Sequence, residues 1–156
     1  IGRVVGEFGA KAVAPDEIRA LQLLPQVYTR LGRASEAQSS NRRRVEVVER
    51  RLEFNPDDVP LLLDGASALA ALGETRRSLE WASRILDRAG NDALVLYNLA
   101  CLYSLAGELG SAMDALERSY DSGLADPEWM EQDSDLDNVR EHPRYRALVA
   151  RMHSRG

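Results

Sequence analysis

Between Val59 and Leu124 the apolar positions are written twice, 34 residues apart. Leu62, Ala66 and the run Ala71-Leu72-Gly73-Glu74 return as Leu96, Ala100 and Leu105-Ala106-Gly107-Glu108. A fixed period of that length marks an array of helix-turn-helix units, none of which can bury its apolar face alone. In the second copy Leu96, Leu99, Ala100 and Tyr103 fall at i, i+3, i+4 and i+7, one face of a helix. Gly107 ends that helix, because glycine takes the left-handed conformation readily. Ala112, Leu116, Ser119 and Tyr120 then share a face of the return helix. The first copy carries the weaker set Leu62, Gly65, Ala66, Leu69, Gly73 and Ser78. Ala66, Ala82, Ala100 and Ala112 lie where helices cross, and larger side chains would push the axes apart.

Upstream, Pro15-Asp16-Glu17 opens a helix with Leu21, Leu24 and Tyr28 inward and a stop at Leu31-Gly32. Pro25 removes a helical hydrogen bond and is expected to kink it. Ser35 and Gln38 have capping-box spacing at the head of a long helix that reaches about Phe54. The length follows from the glycines: Gly32 to Gly73 is 41 residues, against 34 from Gly73 to Gly107. Val45, Val48 and Leu52 carry its apolar face. Asn55-Pro56-Asp57-Asp58 and Gly90-Asn91-Asp92 separate the units. After Gly123, Asp126-Pro127-Glu128 caps a short helix, residues 133–137 form a turn, and His142-Pro143 opens a last helix with Tyr145, Leu148, Val149 and Met152 inward. An array needs a cap on its last repeat, and Trp129, Leu136, Val139, Tyr145 and Leu148 are placed to supply it. The expected organisation is an arm or the end of a preceding helix (1–14), an array (15–124, in units 15–56, 57–90 and 91–124) and a C-terminal cap (125–156).

The positions held by Leu96, Leu99, Ala100, Tyr103, Gly107 and Ala112 resemble the tetratricopeptide repeat (TPR). The later order of Asn55-Pro56-Asp57-Asp58, Tyr97-Asn98-Leu99-Ala100-Cys101, Asp126-Pro127-Glu128-Trp129, Asp135-Leu136-Asp137 and His142-Pro143-Arg144-Tyr145 is similar to C-terminal TPR modules of bacterial multidomain signalling proteins. Those modules accompany adenylate-cyclase-like, kinase-like or DNA-binding domains. The resemblance covers roughly residues 33–151. It implies an all-α fold, a right-handed TPR-type helical-hairpin solenoid of about three repeats with a C-terminal capping region. It also implies a concave groove that binds a peptide or protein segment. The groove positions would be Arg19, Gln22 and Gln26 in the first unit, Leu63 and Ser67 in the second, and Leu94, Tyr97, Cys101 and Ser104 in the third. Asn98 matches an asparagine with which chaperone-binding TPR domains hold a C-terminal carboxylate. Leu63 and Ser67 stand where those domains have Lys and Asn, so the clamp is unsupported and Asn98 reads as a packing residue.

Composition narrows the chemistry. The 156 residues carry a net charge of −5, with 20 basic residues of which only Lys11 is lysine. That balance does not favour nucleic acid or an anionic membrane as partner. One cysteine, Cys101, allows no internal disulfide and points to a reducing, cytoplasmic setting. No apolar run has membrane-spanning length, and the opening Ile1 reads as a fragment of a longer protein. Asp133, Asp135 and Asp137 have the spacing of a calcium loop, but Asn138 and Arg144 replace its glycine and its bidentate acid. Cys101 has no histidine or second cysteine near it in sequence and reads as an inert small residue. Without a catalytic or ligand motif the expectation is a non-enzymatic module with no cofactor and no metal. Arg42, Arg43, Arg44, Arg50 and Arg51 make the long helix basic, while residues 121–141 hold eight acids. Two solvated faces explain this simply. The alternative function, self-association of attached signalling domains, would dock these faces head to tail.

Overall fold

Gly73 and Gly107 adopt φ of 78° and 81°, and around them the backbone closes identical turns. Gly73 N–H donates to the Ala70 carbonyl and Glu74 N–H to that of Leu69; Gly107 and Glu108 do the same to Ser104 and Tyr103. These paired bonds are the Schellman arrangement, which satisfies the last carbonyls of a helix and needs a left-handed residue. Gly32 repeats it, with φ of 70° and bonds to Thr29 and Tyr28. In the computed structural model the described residues are 15–124 and 126–155, with side chains from residue 19 onward. Expectations for residues 1–14 lie outside that range.

The described chain is all-helical. It runs as α1 (Pro15–Arg30), α2 (Ala34–Leu52), α3 (Val59–Ala71), α4 (Thr75–Ala89), α5 (Ala93–Leu105) and α6 (Leu109–Asp121), then α7 (Pro127–Gln132), a 3₁₀ segment (Ser134–Val139) and α8 (Pro143–Ser154). The 34-residue period survives as structure: α3 and α5 start at Val59 and Ala93 and end at Ala71 and Leu105, and α4 and α6 start at Thr75 and Leu109. Asp58 and Asp92, in register, cap α3 and α5 by accepting backbone N–H from Leu61 and from Leu94 and Val95. Each helix from α1 to α6 packs on the next, and α3 also lies directly against α5. No described helix is long and apolar enough to cross a membrane.

Two local expectations change. Ser35 does not cap α2; Arg33 holds that position without a side-chain cap bond and pairs instead with Glu36. The Gly32 turn feeds straight into the helix, with Ala37 N–H already bonded to the Arg33 carbonyl, so Ser35 is inside it. Gln38 reaches across to the Ala71 carbonyl. The long helix stops at Leu52, leaving Phe54 90% exposed. α1, for its part, continues past Pro25 to Arg30 as one helix.

The core depends on small residues at the crossings. Ala66, Ala82, Ala100 and Ala112 are buried among Leu62, Leu69, Ile85, Leu96, Leu99 and Leu116. A Cβ built on Gly65 would sit 2.1 Å from Cζ3 of Trp81, so the indole is seated where that side chain is missing. The C-terminal segment joins the same core. Leu136, Val139, Leu148, Tyr145 and Met152 are buried in it as expected, and Trp129 remains 43% exposed. Arg144 ties α8 to Asp114 and Glu117 of α6. Arg140 donates to the carbonyls of Met130 and Asp133 and to the Tyr145 hydroxyl.

Gly65→Ala should lower unfolding free energy by about 1–3 kcal/mol through overpacking against Trp81. Gly110→Ala in α6, where a Cβ meets nothing within 4 Å, should raise it by about 0.5–1 kcal/mol. Urea unfolding of both variants checks this, and a Gly65→Ala protein as stable as the parent would remove Trp81 from that seat.

Candidate functional site

The 34-residue register pairs positions on α3 with positions on α5: Leu63 with Tyr97, Asp64 with Asn98, Ser67 with Cys101, and Ala70 with Ser104. Among the described residues one face of α3 is open and forms a cavity of about 520 Å³ with the adjoining part of α5. Its α3 wall is Leu63, Asp64, Ser67 and Ala70; Asn98, Cys101 and Leu105 come from α5. Gln22 of α1, Arg44 of α2 and Asp135 of the 3₁₀ segment complete the rim.

At one end the charge is organised. Asp64 is 8% exposed, in the middle of an otherwise apolar run. Its Oδ1 accepts from Gln22 Nε2 at 3.1 Å, from Arg44 Nε at 2.8 Å and from Arg44 Nη2. Its Oδ2 is buried with no hydrogen-bond partner among the described residues. The pair fastens α2 to α3, and loss of either member alone would strand a charge.

At the other end the C-terminal segment lies on α5. The Tyr97 ring stacks on Trp129 with centroids 4.7 Å apart. Its hydroxyl donates to Asp133 Oδ2 at 2.7 Å, and the Cys101 thiol donates to the same oxygen at 3.7 Å. Asp133 Oδ1 accepts the Asp135 N–H and so caps the 3₁₀ segment. Asn138 Nδ2 donates to the Ser104 carbonyl. Burial, reinforced by Asp133, pushes the Tyr97 phenol and the Cys101 thiol well above their ordinary values. Asp135 is raised first by desolvation and then by the charges of Asp133 and Asp137.

The expected groove set therefore divides. Leu63 and Ser67 line the open cavity, and Gln22 reaches it from α1. Arg19, Gln26 and Leu94 are exposed but lie outside it. Tyr97, Cys101 and Ser104 are not an open surface: they are 1%, 8% and 0% exposed, and Cys101 alone of the three edges the cavity. The cause is the C-terminal segment, which folds back over the α5 face. Asp64, Arg44, Asp135 and Leu105 are additions that the register alone does not give, although an acid inside Leu61-Leu62-Leu63-Asp64-Gly65-Ala66 was a visible signal. Asn98 is exposed and lines the cavity rather than packing.

Donor atoms of Cys101, Asp133 and Asp135 lie within 4.8 Å of one another. The Asp133 carboxylate accepts from Tyr97, Cys101 and the Asp135 N–H, so hydrogen bonds already tie the cluster together. Several of the charges expected to dock head to tail pair within the molecule. Arg44 pairs with Asp64, Arg43 with Glu46, Arg151 with Asp121 and Arg146 with Glu141. Comparison with known protein families, characterised proteins and solved structures finds no match to this chain.

Because the folded state raises both the Cys101 and Tyr97 values, the unfolded chain releases those protons first. Their contribution to stability is complete below the ordinary thiol value of 9.0; its loss begins above that value for Cys101 and above 10.0 for Tyr97 and continues as pH rises toward the raised folded-state values. Thermal unfolding across this range should show the decline, with Cys101→Ala flattening its lower part and Tyr97→Phe its upper part. Unchanged alkaline slopes in both variants would mean that the C-terminal segment does not cover them.

Proposed function

We propose that this chain is a non-catalytic interaction module of the TPR type, binding an extended protein segment in the groove across α3 and α5. The observation that carries the reading is the open α3 face: half-buried Leu63, exposed Leu105 and exposed Ser67 surround a cavity floored by the rigid repeat core. Among the described residues this face is left open, whereas the matching face of α5 is covered. The recurrence of helix limits, aspartate caps and Schellman turns at 34 residues supports a right-handed helical-hairpin solenoid. The protonated, buried Cys101 supports a role without nucleophilic chemistry. On its motif order the module belongs at the C-terminal end of a bacterial multidomain signalling protein and works in the cytoplasm.

Ser67 is exposed and, among the described residues, its hydroxyl bonds only to the Leu63 carbonyl of its own helix, so a bulky residue there fills the groove without entering the core. Short random peptides displayed on phage should yield saturable binders of the full chain. Ser67→Trp should weaken them at least ~10-fold, a difference of ~1.4 kcal/mol, with an unchanged melting temperature. Selection that gives nothing beyond what binds Ser67→Trp equally well removes the reading.

A second reading, self-association, has one specific observation in its favour. Leu23, Val27 and Leu31 form a stripe along α1 and are 62%, 48% and 63% exposed. If copies meet there, light scattering over a concentration series should show a rising mass that Val27→Glu abolishes. A monomer at all concentrations excludes it.

A further inference from the structure

We infer that the groove selects a segment carrying a basic side chain, whose stem lies on Leu63, Ala70 and Leu105 and whose charged head is attracted by the carboxylates of Asp64 and Asp135. This rests on the proposed peptide-binding reading and names the chemistry of its ligand.

Charge is the first argument. Asp64 and Asp135 line the cavity, and the only described cation lining it is Arg44. Arg44 is already committed to Asp64 through both Nε and Nη2. Asp133 and Asp137 add further negative potential at the Asp135 end; Arg140 pairs with the Asp137 carboxylate and donates to the Asp133 carbonyl, while the Asp133 carboxylate accepts from the neutral donors Tyr97, Cys101 and the Asp135 N–H. Asp135 itself has no countercharge among the described residues, and its carboxyl is crowded by its two like neighbours. An arriving cation would relieve that repulsion and be attracted by it.

The second argument is independent of charge. Asp64 is more than nine-tenths buried and lines the same cavity, yet among the described residues its Oδ2 has no donor. An acceptor left bare away from water is costly until a donor reaches it. Acid ligands are disfavoured, because the one guanidinium present is occupied and two carboxylates face the cavity. Shape agrees as well. The wall is apolar along Leu63, Ala70 and Leu105 and acidic at its ends, which suits a side chain with an aliphatic stem and a charged head.

The test uses the peptides selected on the full chain. They should share a lysine or arginine at one position, and replacing that residue by norleucine should weaken binding at least ~10-fold. Asp135→Asn and Asp64→Asn, each checked for native circular dichroism, should weaken the basic peptide by a similar factor and leave the norleucine peptide nearly unaffected. Asp135 is exposed, so its variant stays informative even where Asp64→Asn disturbs the Arg44 pair. Selected peptides without a shared basic residue, or a norleucine penalty equally large in parent and Asp135→Asn, would overturn the inference while leaving the groove reading standing. Absence of any groove-dependent peptide would overturn both.

Discussion

Close approach of helix axes at the small residues is the constraint on which the rest of this molecule depends. Ala66, Ala82, Ala100 and Ala112 are each at most 1% exposed, and Gly65 goes further by offering a seat to Trp81. With axes this close, polar atoms on one helix reach carbonyls on another. Ser78 Oγ donates to the Ala66 carbonyl at 2.9 Å, and Ser119 Oγ to that of Ala93 at 2.6 Å. These two buried hydroxyls are thereby satisfied, and the large neighbours Leu62, Leu69, Leu96 and Leu99 can be removed completely from water. A larger residue at a crossing would therefore disturb packing and hydrogen bonding together.

The same repeat positions serve two ends. On α3, Leu63, Ser67 and Ala70 face an open cavity; on α5, Tyr97, Cys101 and Ser104 lie under the C-terminal segment. An array that ends must cover its last apolar face, and Asp133 organises this cover by accepting from Tyr97 and Cys101 while capping the 3₁₀ segment. The cover stops short of α3. Its edge, at Asp135, becomes one rim of the groove, so the capping segment both closes the core and contributes to the site.

Much of the fold was legible because it is written in local signals. The period, the glycine stops at Gly73 and Gly107, the caps at Asp58 and Asp92 and the small residues at the crossings each act through the backbone nearby. Ser35 misled for a local reason: the Gly32 turn enters α2 two residues earlier than a capping box would. The site was less legible because it depends on how distant parts meet. Tyr97 and Leu63 occupy the same repeat position, and nothing in either sequence neighbourhood tells which is covered. Only the return of residues 126–139 over α5 decides it. Arg44 likewise looked like one of three surface arginines, whereas its partner Asp64 is 20 residues away.

Asp64 brings stability and function into opposition. Its neighbours Leu61, Leu62 and Leu63 show that α3 tolerates apolar side chains there, and a buried ion pair often stabilises no better than well-packed apolar residues of similar size. Among the described residues Oδ2 has no donor, so the hydrogen bonds from Gln22 and Arg44 leave part of the carboxylate's desolvation uncompensated. A core chosen for stability alone would gain little from this acid. What the acid does supply is a fixed negative group on the groove wall, immobilised by α1 and α2 before any ligand arrives. Preorganisation of that kind lowers the ordering cost of binding, and here the two helices that hold the carboxylate are parts of the same repeat core whose close packing gives the groove its rigid floor.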